Sequence, residues 1–190
     1  MRVQIPVEVS ARHIHLSKHD LATLFGKGYC LTKKRVLTQP GEFAAEETVA
    51  VRFQDREIPQ ARVVSPLRPQ TQLEISLTDA YNLGMPAVIR SSDDLKGTPG
   101  ILLIGPAGEL VLKHGVIVAW RHLHISPKEA TRLGIKNKEM ISVKIQGKRK
   151  LTFHNIKVRI NKNYKLSMHL DTDEGNAAGI VGKTFGELII

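Results

Sequence analysis

The 190-residue chain has one cysteine, one tryptophan and only 5% aromatic residues. The lone thiol, Cys30, excludes an intramolecular disulfide framework and any cysteine-rich zinc finger, and it fits a reducing compartment. No run of about 18 apolar residues occurs, so no helix is expected to cross a membrane. The opening MRVQIPVEVSARHIH lacks the apolar stretch of a secretory signal. With 42% hydrophobic and 24% charged residues the composition is that of a globular protein, which excludes a disordered or fibrous chain. At about 150 residues per domain, the length allows one or two domains.

Charge is abundant but unevenly placed. The net charge is +10, and the segment from Lys128 to Lys165 holds 12 basic residues against Glu129 and Glu139. That segment alone carries the whole excess. Such a patch fits nucleic acid or a smaller polyanion such as a nucleotide-bearing cofactor, or else a solvated face of strands and turns. Only Phe153 and Tyr164 interleave with these cations, so stacking platforms are scarce and a nucleic-acid partner is disfavoured.

Short alternating runs dominate the pattern, among them TVAVRF, ISVKIQ and IKVRI, and read as strands of four to eight residues. Helical signals are few. Ser17 caps LATLFG with Gly26 as a stop, and Ser126-Pro127 opens EATRLG with a capping box to Glu129. Short helices are also expected over Thr78–Gly84 and Asp173–Gly179. Many short strands with a few short helices predict a mainly β protein built as barrels or sandwiches.

A repeat organises the chain. Arg12-His13-Ile14-His15-Leu16-Ser17 recurs as Arg121-His122-Leu123-His124-Ile125-Ser126. A weaker echo relates the stretch from Glu74 to Gly84 to that from His169 to Gly179. The polar, turn-rich SSDDLKGTPG suggests a boundary, giving two similar β domains at 1–92 and 93–190 that face each other, with strand exchange between the halves allowed.

Side chains two apart on a strand share a face. His13 and His15 therefore project together, as do His122 and His124. Paired imidazoles suit a divalent metal, and a catalytic zinc takes three protein ligands with one position open. The repeat offers the third at matching places, Glu74 and His169. Two sites follow, His13/His15/Glu74 and His122/His124/His169, expected to lie close together across the domain interface. Arg68, in a proline-stiffened loop six residues before Glu74, suits a phosphate or carboxylate. Cys30, His19, His114 and His154 lack comparable partners and read as structural or exposed.

These stretches resemble the zinc-dependent phosphate propanoyltransferase family, the microcompartment-type phosphotransacylases. The resemblance rests on Val9–Ser17, Gln39–Thr48, Thr71–Ser76, Arg121–His124 and His169–Gly179, and it runs over nearly the whole chain. It implies two β-barrel domains capped by short helices, and two zinc ions held by the same six ligands. It also implies that Arg68 binds phosphate. Val9, Ser10, Ala11 and Asn176 would contact coenzyme A, with Arg62 and Arg56 near its phosphates. The implied reaction is acyl-CoA + phosphate ⇌ acyl phosphate + CoA, by direct transfer with no acyl-enzyme, and the acyl chain, acetyl or propanoyl, is open. The competing enzymatic reading is a zinc hydrolase of a small acyl compound, which would release the acid without CoA. A basic nucleic-acid-binding module is the other alternative. The oligomeric state is open, a homodimer being compatible. Members that enter a microcompartment carry an amphipathic extension ahead of the first barrel. Only Met1–Glu8 precede the first motif here, so a free cytoplasmic enzyme is expected.

Overall fold

In both His-x-His segments the middle residue decides the orientation. Ile14 and Leu123 are completely buried. Burying each contributes about 1.5–3 kcal/mol, and period-2 alternation then turns the flanking histidines to the opposite face of the sheet. The computed structural model of the chain describes residues 3–92 and 94–189. Its strands are β1 (Gln4–Ser10), β2 (His13–His15), β3 (Lys33–Val36), β4 (Phe43–Phe53), β5 (Arg56–Ser65), β6 (Gln72–Ile75), β7 (Ile89–Arg90), β8 (Ile101–Ile104), β9 (Glu109–Leu112), β10 (Val116–Ala119), β11 (His122–Ile125), β12 (Met140–Ile145), β13 (Leu151–Ile160), β14 (Ser167–Asp171) and β15 (Thr184–Ile189). Its helices are α1 (Lys18–Phe25), α2 (Leu77–Leu83), α3 (Pro127–Leu133) and α4 (Thr172–Ala177). The fold is mainly β with a few short helices, as the alternation predicts.

The chain divides into two units. One comprises Arg12–Leu37 and Gly41–Ala119, the other Met1–Ala11, Thr38–Pro40 and Trp120–Ile190. The first is a curled sheet ordered β7-β10-β6-β2-β5-β4-β8-β9, with β3 added on β4. Its core gathers Ile14, Leu16, Leu24, Val51, Val63, Leu73 and Leu103. The second is a closed barrel, β1-β14-β11-β13-β12-β15, around Ile5, Leu123, Ile125, Val143, Ile156, Val158 and Met168. One unit thus closes into a barrel and the other remains a curled half-barrel sheet.

The division differs from a cut at residue 92. The strands after the polar segment, β8 and β10, pair with β4 and β6, so residues up to Ala119 belong to the first unit. Strand β1 instead pairs in parallel with β14 and antiparallel with β15, completing the barrel. Turn-rich composition marks a loop, and a loop inside a sheet looks the same in sequence as a loop between domains.

The four helices form where expected, with different caps. Ser17 caps α1 by accepting from the Asp20 N–H, and Gly26 follows it. At α3 the Glu129 carboxylate accepts from the Ser126 hydroxyl, so the expected capping box is half formed. Complete boxes open two residues ahead of the spans read from sequence: Ser76 with Asp79 at α2, and Asp171 with Glu174 at α4.

Candidate functional site

The third candidate ligand of each set lies directly opposite the first histidine. In the first unit β2 pairs antiparallel with β6, with His13 across from Glu74. In the second β11 pairs antiparallel with β14, with His122 across from His169. Directly opposed residues share a face about 4.5–5.5 Å apart. The repeat thus places three donors together by the same register in both units.

His13, His15 and Glu74 are the one group among the described residues whose ligand atoms all lie within 4.8 Å of one another. His13 Nε2 is 3.6 Å from Glu74 Oε2. The other oxygen, Oε1, accepts from Gln72 Nε2 at 2.6 Å and from the Ser92 hydroxyl at 3.0 Å. Burial, with help from the Arg68 and His13 charges, pushes the His15 pKa down to about 3. His15 is therefore a neutral imidazole, the form that ligates. Arg68 Nη2 donates to His15 Nε2 at 3.0 Å, and Nη1 donates to the Ser92 hydroxyl at 3.0 Å; the first bond uses the Nε2 lone pair, so ligation through that nitrogen would displace the guanidinium. Arg68 lies against the donor set, and Ser92 joins the guanidinium to the carboxylate.

In the second unit three imidazoles cluster. Their ring centroids are 4.7 Å apart for His122–His124 and His124–His169, and 5.1 Å for His122–His169. Tyr164 stacks on His124 at 4.1 Å. His124 is buried, neither ring nitrogen has a hydrogen-bond partner, and burial, with the neighbouring His122, His169 and Arg159, lowers its pKa. A buried imidazole left without partners on both nitrogens is costly, and a metal ligand bond would satisfy one of them. His122 Nδ1 donates to the Trp120 carbonyl at 2.8 Å, which leaves the lone pair on Nε2.

The donor atoms of this second set do not converge as closely, and one of them is engaged by a hydrogen-bonded chain that starts at Gln39. Gln39 Oε1 accepts from the Lys165 N–H, and its Nε2 donates to the Lys165 carbonyl and to the Ser167 hydroxyl oxygen at 2.8 Å. Both amide hydrogens are then used. Ser167 is fully buried, so its own hydrogen goes to His169 Nε2 at 2.9 Å and occupies that lone pair. Both donor sets suit zinc by chemistry, two imidazoles with a carboxylate in one and three imidazoles in the other.

The other sequence candidates separate. Arg62 lies beside His13 across the parallel β2–β5 pair and donates to the Ala45 and Glu46 carbonyls. Arg56 is six residues away on β5, about 20 Å by strand rise, and donates to the Asn82 carbonyl at the end of α2. Val9 sits under α4: a Cβ on Gly175 would come within 2.6 Å of its side chain, so the glycine lets the helix close onto β1. This brings the Val9–Ser10–Ala11 end of β1 to the helix that carries Asn176. Sequence reasoning missed Gln39, Ser167 and Ser92, since contacts across up to 128 residues leave no local pattern. It also passed over the arginines of the repeat, Arg12 and Arg121, although both stand in the repeated motif.

No helix among the described residues is long and apolar enough to cross a membrane. The family model described as phosphate propanoyltransferase matches residues 6–181. A curated phosphate propanoyltransferase of Thermotoga maritima is 49% identical over 175 residues, covering 92% of this chain and 83% of its own length. That of Lachnoclostridium phytofermentans is 44% identical, covering 97% and 85%. That of Salmonella typhimurium is 48% identical, covering 92% and 83%. By sequence match over nearly all of its length, the chain belongs to the phosphate propanoyltransferase family.

Proposed function

We propose that the protein, a phosphate acyltransferase by family, interconverts acyl-CoA plus phosphate with acyl phosphate plus CoA, for an acetyl or propanoyl group. We further propose two zinc ions, one held by His13, His15 and Glu74 and one by His122, His124 and His169. The observation that carries this reading is the convergence of His13, His15 and Glu74, with Arg68 hydrogen-bonded to His15. Zinc, when bound, supplies Lewis acidity that lowers the pKa of a thiol and polarises a carbonyl.

The chain's own residues supply binding and orientation. Gln72 and Ser92 fix the Glu74 carboxylate through one oxygen and leave the other toward His13. The buried His15 stays neutral throughout the working pH range. Arg68 is the cation of this set, and its planar fork matches a phosphoryl group in charge and shape. Holding that group fixes the line of attack. In the direction of CoA acylation the thiolate pair forms the carbon–sulfur bond as the carbon–oxygen bond to phosphate breaks, and phosphate leaves. Arg62 is a proposed cation for a CoA phosphate, and Val9, Ser10, Ala11 and Asn176 are proposed as contacts for CoA. Arg56 is too far along β5 to serve the same phosphoryl group.

An acyl-enzyme would need an activated nucleophile. Ser142 Oγ lies 2.8 Å from His154 Nδ1, but the pair is exposed, and no carboxylate among the described residues is seen to orient His154. Direct transfer is the simpler route.

The test is metal analysis of the purified protein together with thiol release from acetyl-CoA and propanoyl-CoA. The expected result is about two zinc ions per chain and thiol release that requires phosphate. His15→Ala should abolish turnover in a folded protein. Arg68→Ala should cost about 2–4 kcal/mol of transition-state stabilisation, a 30- to 1,000-fold loss in kcat/KM for phosphate. Full activity after strong chelation overturns the metal reading. Phosphate-independent thiol release identifies a hydrolase instead.

A further inference from the structure

We propose that Arg159, supported by Lys157, binds a phosphoryl group of the substrate at the second histidine cluster. The proposal rests on the transferase reading above for its substrates. Strand β13 runs parallel to β11 with His122 beside Lys157 and His124 beside Arg159. Residues in register on adjacent strands share a face, about 4.8 Å apart. Each histidine of the His-x-His pair therefore has a cation next to it on the side away from His169.

Arg159 is drawn toward the cluster. Its guanidinium carbon lies 6.0 Å from the Tyr164 ring, and that ring stacks on His124 at 4.1 Å. Both Lys157 and Arg159 are partly buried, unlike Lys148, Lys150 and Lys162 of the same basic segment, which are exposed.

The first unit supports the assignment. The residue in the Lys157 position there is Arg62, beside His13. The position matching Arg159 is the buried Val64, and the cation at His15 comes instead from Arg68 in the following loop. Each unit thus brings one guanidinium to the second histidine of its pair, from non-equivalent positions.

Charge identifies the ligand class. Three imidazoles contribute no negative charge, whereas the first set contains Glu74. By register the carboxylates near this face lie on the His169 side: Glu8 beside His169 on β1, and Asp171 two residues beyond His169, where it caps α4. Glu8 is three strands from Lys157, about 14 Å. A divalent ion would add to the positive charge. Such a site favours a dianion with several oxygens, and a guanidinium engages a phosphoryl group through two parallel N–H bonds. The reaction offers two sources of that chemistry, the transferred phosphate and the phosphates of CoA.

The test uses the full-length metal-loaded protein as Arg159→Ala, Arg159→Lys and Lys157→Ala, with Lys162→Ala as the control. Steady-state KM values are measured for phosphate, acyl phosphate and CoA, and for pantetheine as a thiol without phosphates. Calorimetric titration with phosphate and with CoA reads binding without turnover. Arg159→Ala should raise at least one KM tenfold or more and weaken the matching titration. Arg159→Lys should recover part of the loss, Lys157→Ala should lose less, and Lys162→Ala should match wild type. A rise for phosphate and acyl phosphate alone assigns the transferred group. A rise for CoA that is absent with pantetheine assigns the CoA phosphates. KM values and titrations within twofold of wild type in both Arg159 variants overturn the proposal, as does wild-type protein that binds neither phosphate nor CoA. Wild type that binds both ligands but fails to turn over overturns the transferase reading, and the titrations then still decide Arg159.

Discussion

Arg12 and Arg121 open the two copies of the repeated motif, and each is tied to the helix that follows the third candidate ligand of its own unit. Arg12 donates from Nε to Asp79 Oδ2 at 3.0 Å and from Nη2 to Oδ1 at 2.6 Å. Asp79 is the N3 residue of the Ser76 capping box, a few residues past Glu74. Arg121 Nε lies 2.6 Å from Glu174 Oε1, the N3 residue of the Asp171 capping box that follows His169. In both units the arginine clamps the His-x-His strand to the helix beyond the third candidate ligand. Arg12→Ala strands a carboxylate that is 3% exposed. Breaking a fully buried pair costs about 3–5 kcal/mol. The Arg12 side chain is 41% exposed, so water reaches the vacated space and the expected cost falls to roughly 2–3 kcal/mol. At about 2–4 °C per kcal/mol, the melting temperature should drop by roughly 5–10 °C. A double-mutant cycle with Asp79→Asn isolates the pair, and its coupling should exceed about 1 kcal/mol. Metal affinity of the His13/His15/Glu74 set should fall in parallel, because Glu74 loses its fixed position. Additive losses within about 0.5 kcal/mol would refute the clamp.

Two further outcomes are expected. Burial raises the Glu174 carboxyl pKa despite the opposing Arg121 charge, so the native state holds this proton more tightly than the unfolded chain. Native stability from this group then falls as pH rises from the unfolded value near 4.5 through the higher folded one. Glu174→Gln keeps the capping-box geometry and removes that dependence, so denaturant titrations from pH 4 to pH 8 should show wild type losing ground to the variant as pH rises. Gln39→Leu leaves the Lys165 N–H and carbonyl and the Ser167 hydroxyl without their partner. It should cost about 2–4 kcal/mol and speed hydrogen exchange at the Lys165 amide, and an unchanged exchange rate would contradict the clamp.

The histidine pairs and their third partners were legible because two independent signals agreed. Alternation gave the shared face, and duplication gave Glu74 and His169 equivalent places, which the antiparallel register realises in both units. The proline-stiffened loop singled out Arg68, the resemblance gave it phosphate, and the bond to His15 puts the side chain beside the donor set. What escaped was long-range. Nothing local in MRVQIPVEVS says that this strand closes a barrel against β14 and β15. Nothing in QPGEF announces that Gln39 grips Lys165. The caps of α2 and α4 were not read from sequence; Ser76 and Asp171 have the extended backbone and the reciprocal bond to N3, and the helices begin one residue ahead of the expected spans.

The basic segment also acquires a partial account. In sequence it is a run of cations that reads either as a polyanion patch or as a solvated face. In the barrel, β13 separates its members by periodicity: Lys157 and Arg159 stand in register with the histidines, while Lys148 and Lys150 lie in the β12–β13 hairpin. The alternating Ile156 and Val158 are buried in the core, which holds their basic neighbours on the opposite face. A charge run that looks uniform along the chain is thus divided by the pleat, which puts one pair beside the candidate site and leaves others, Lys148, Lys150 and Lys162 among them, exposed. The same pleat relates the two units. Each keeps the register that opposes its first histidine to a third donor, but one has a carboxylate with Arg68 and the other an imidazole with Arg159. On the proposed reading the two sites therefore differ by one unit of charge before any ligand binds, and the more positive one is the better partner for the more highly charged phosphoryl oxygens.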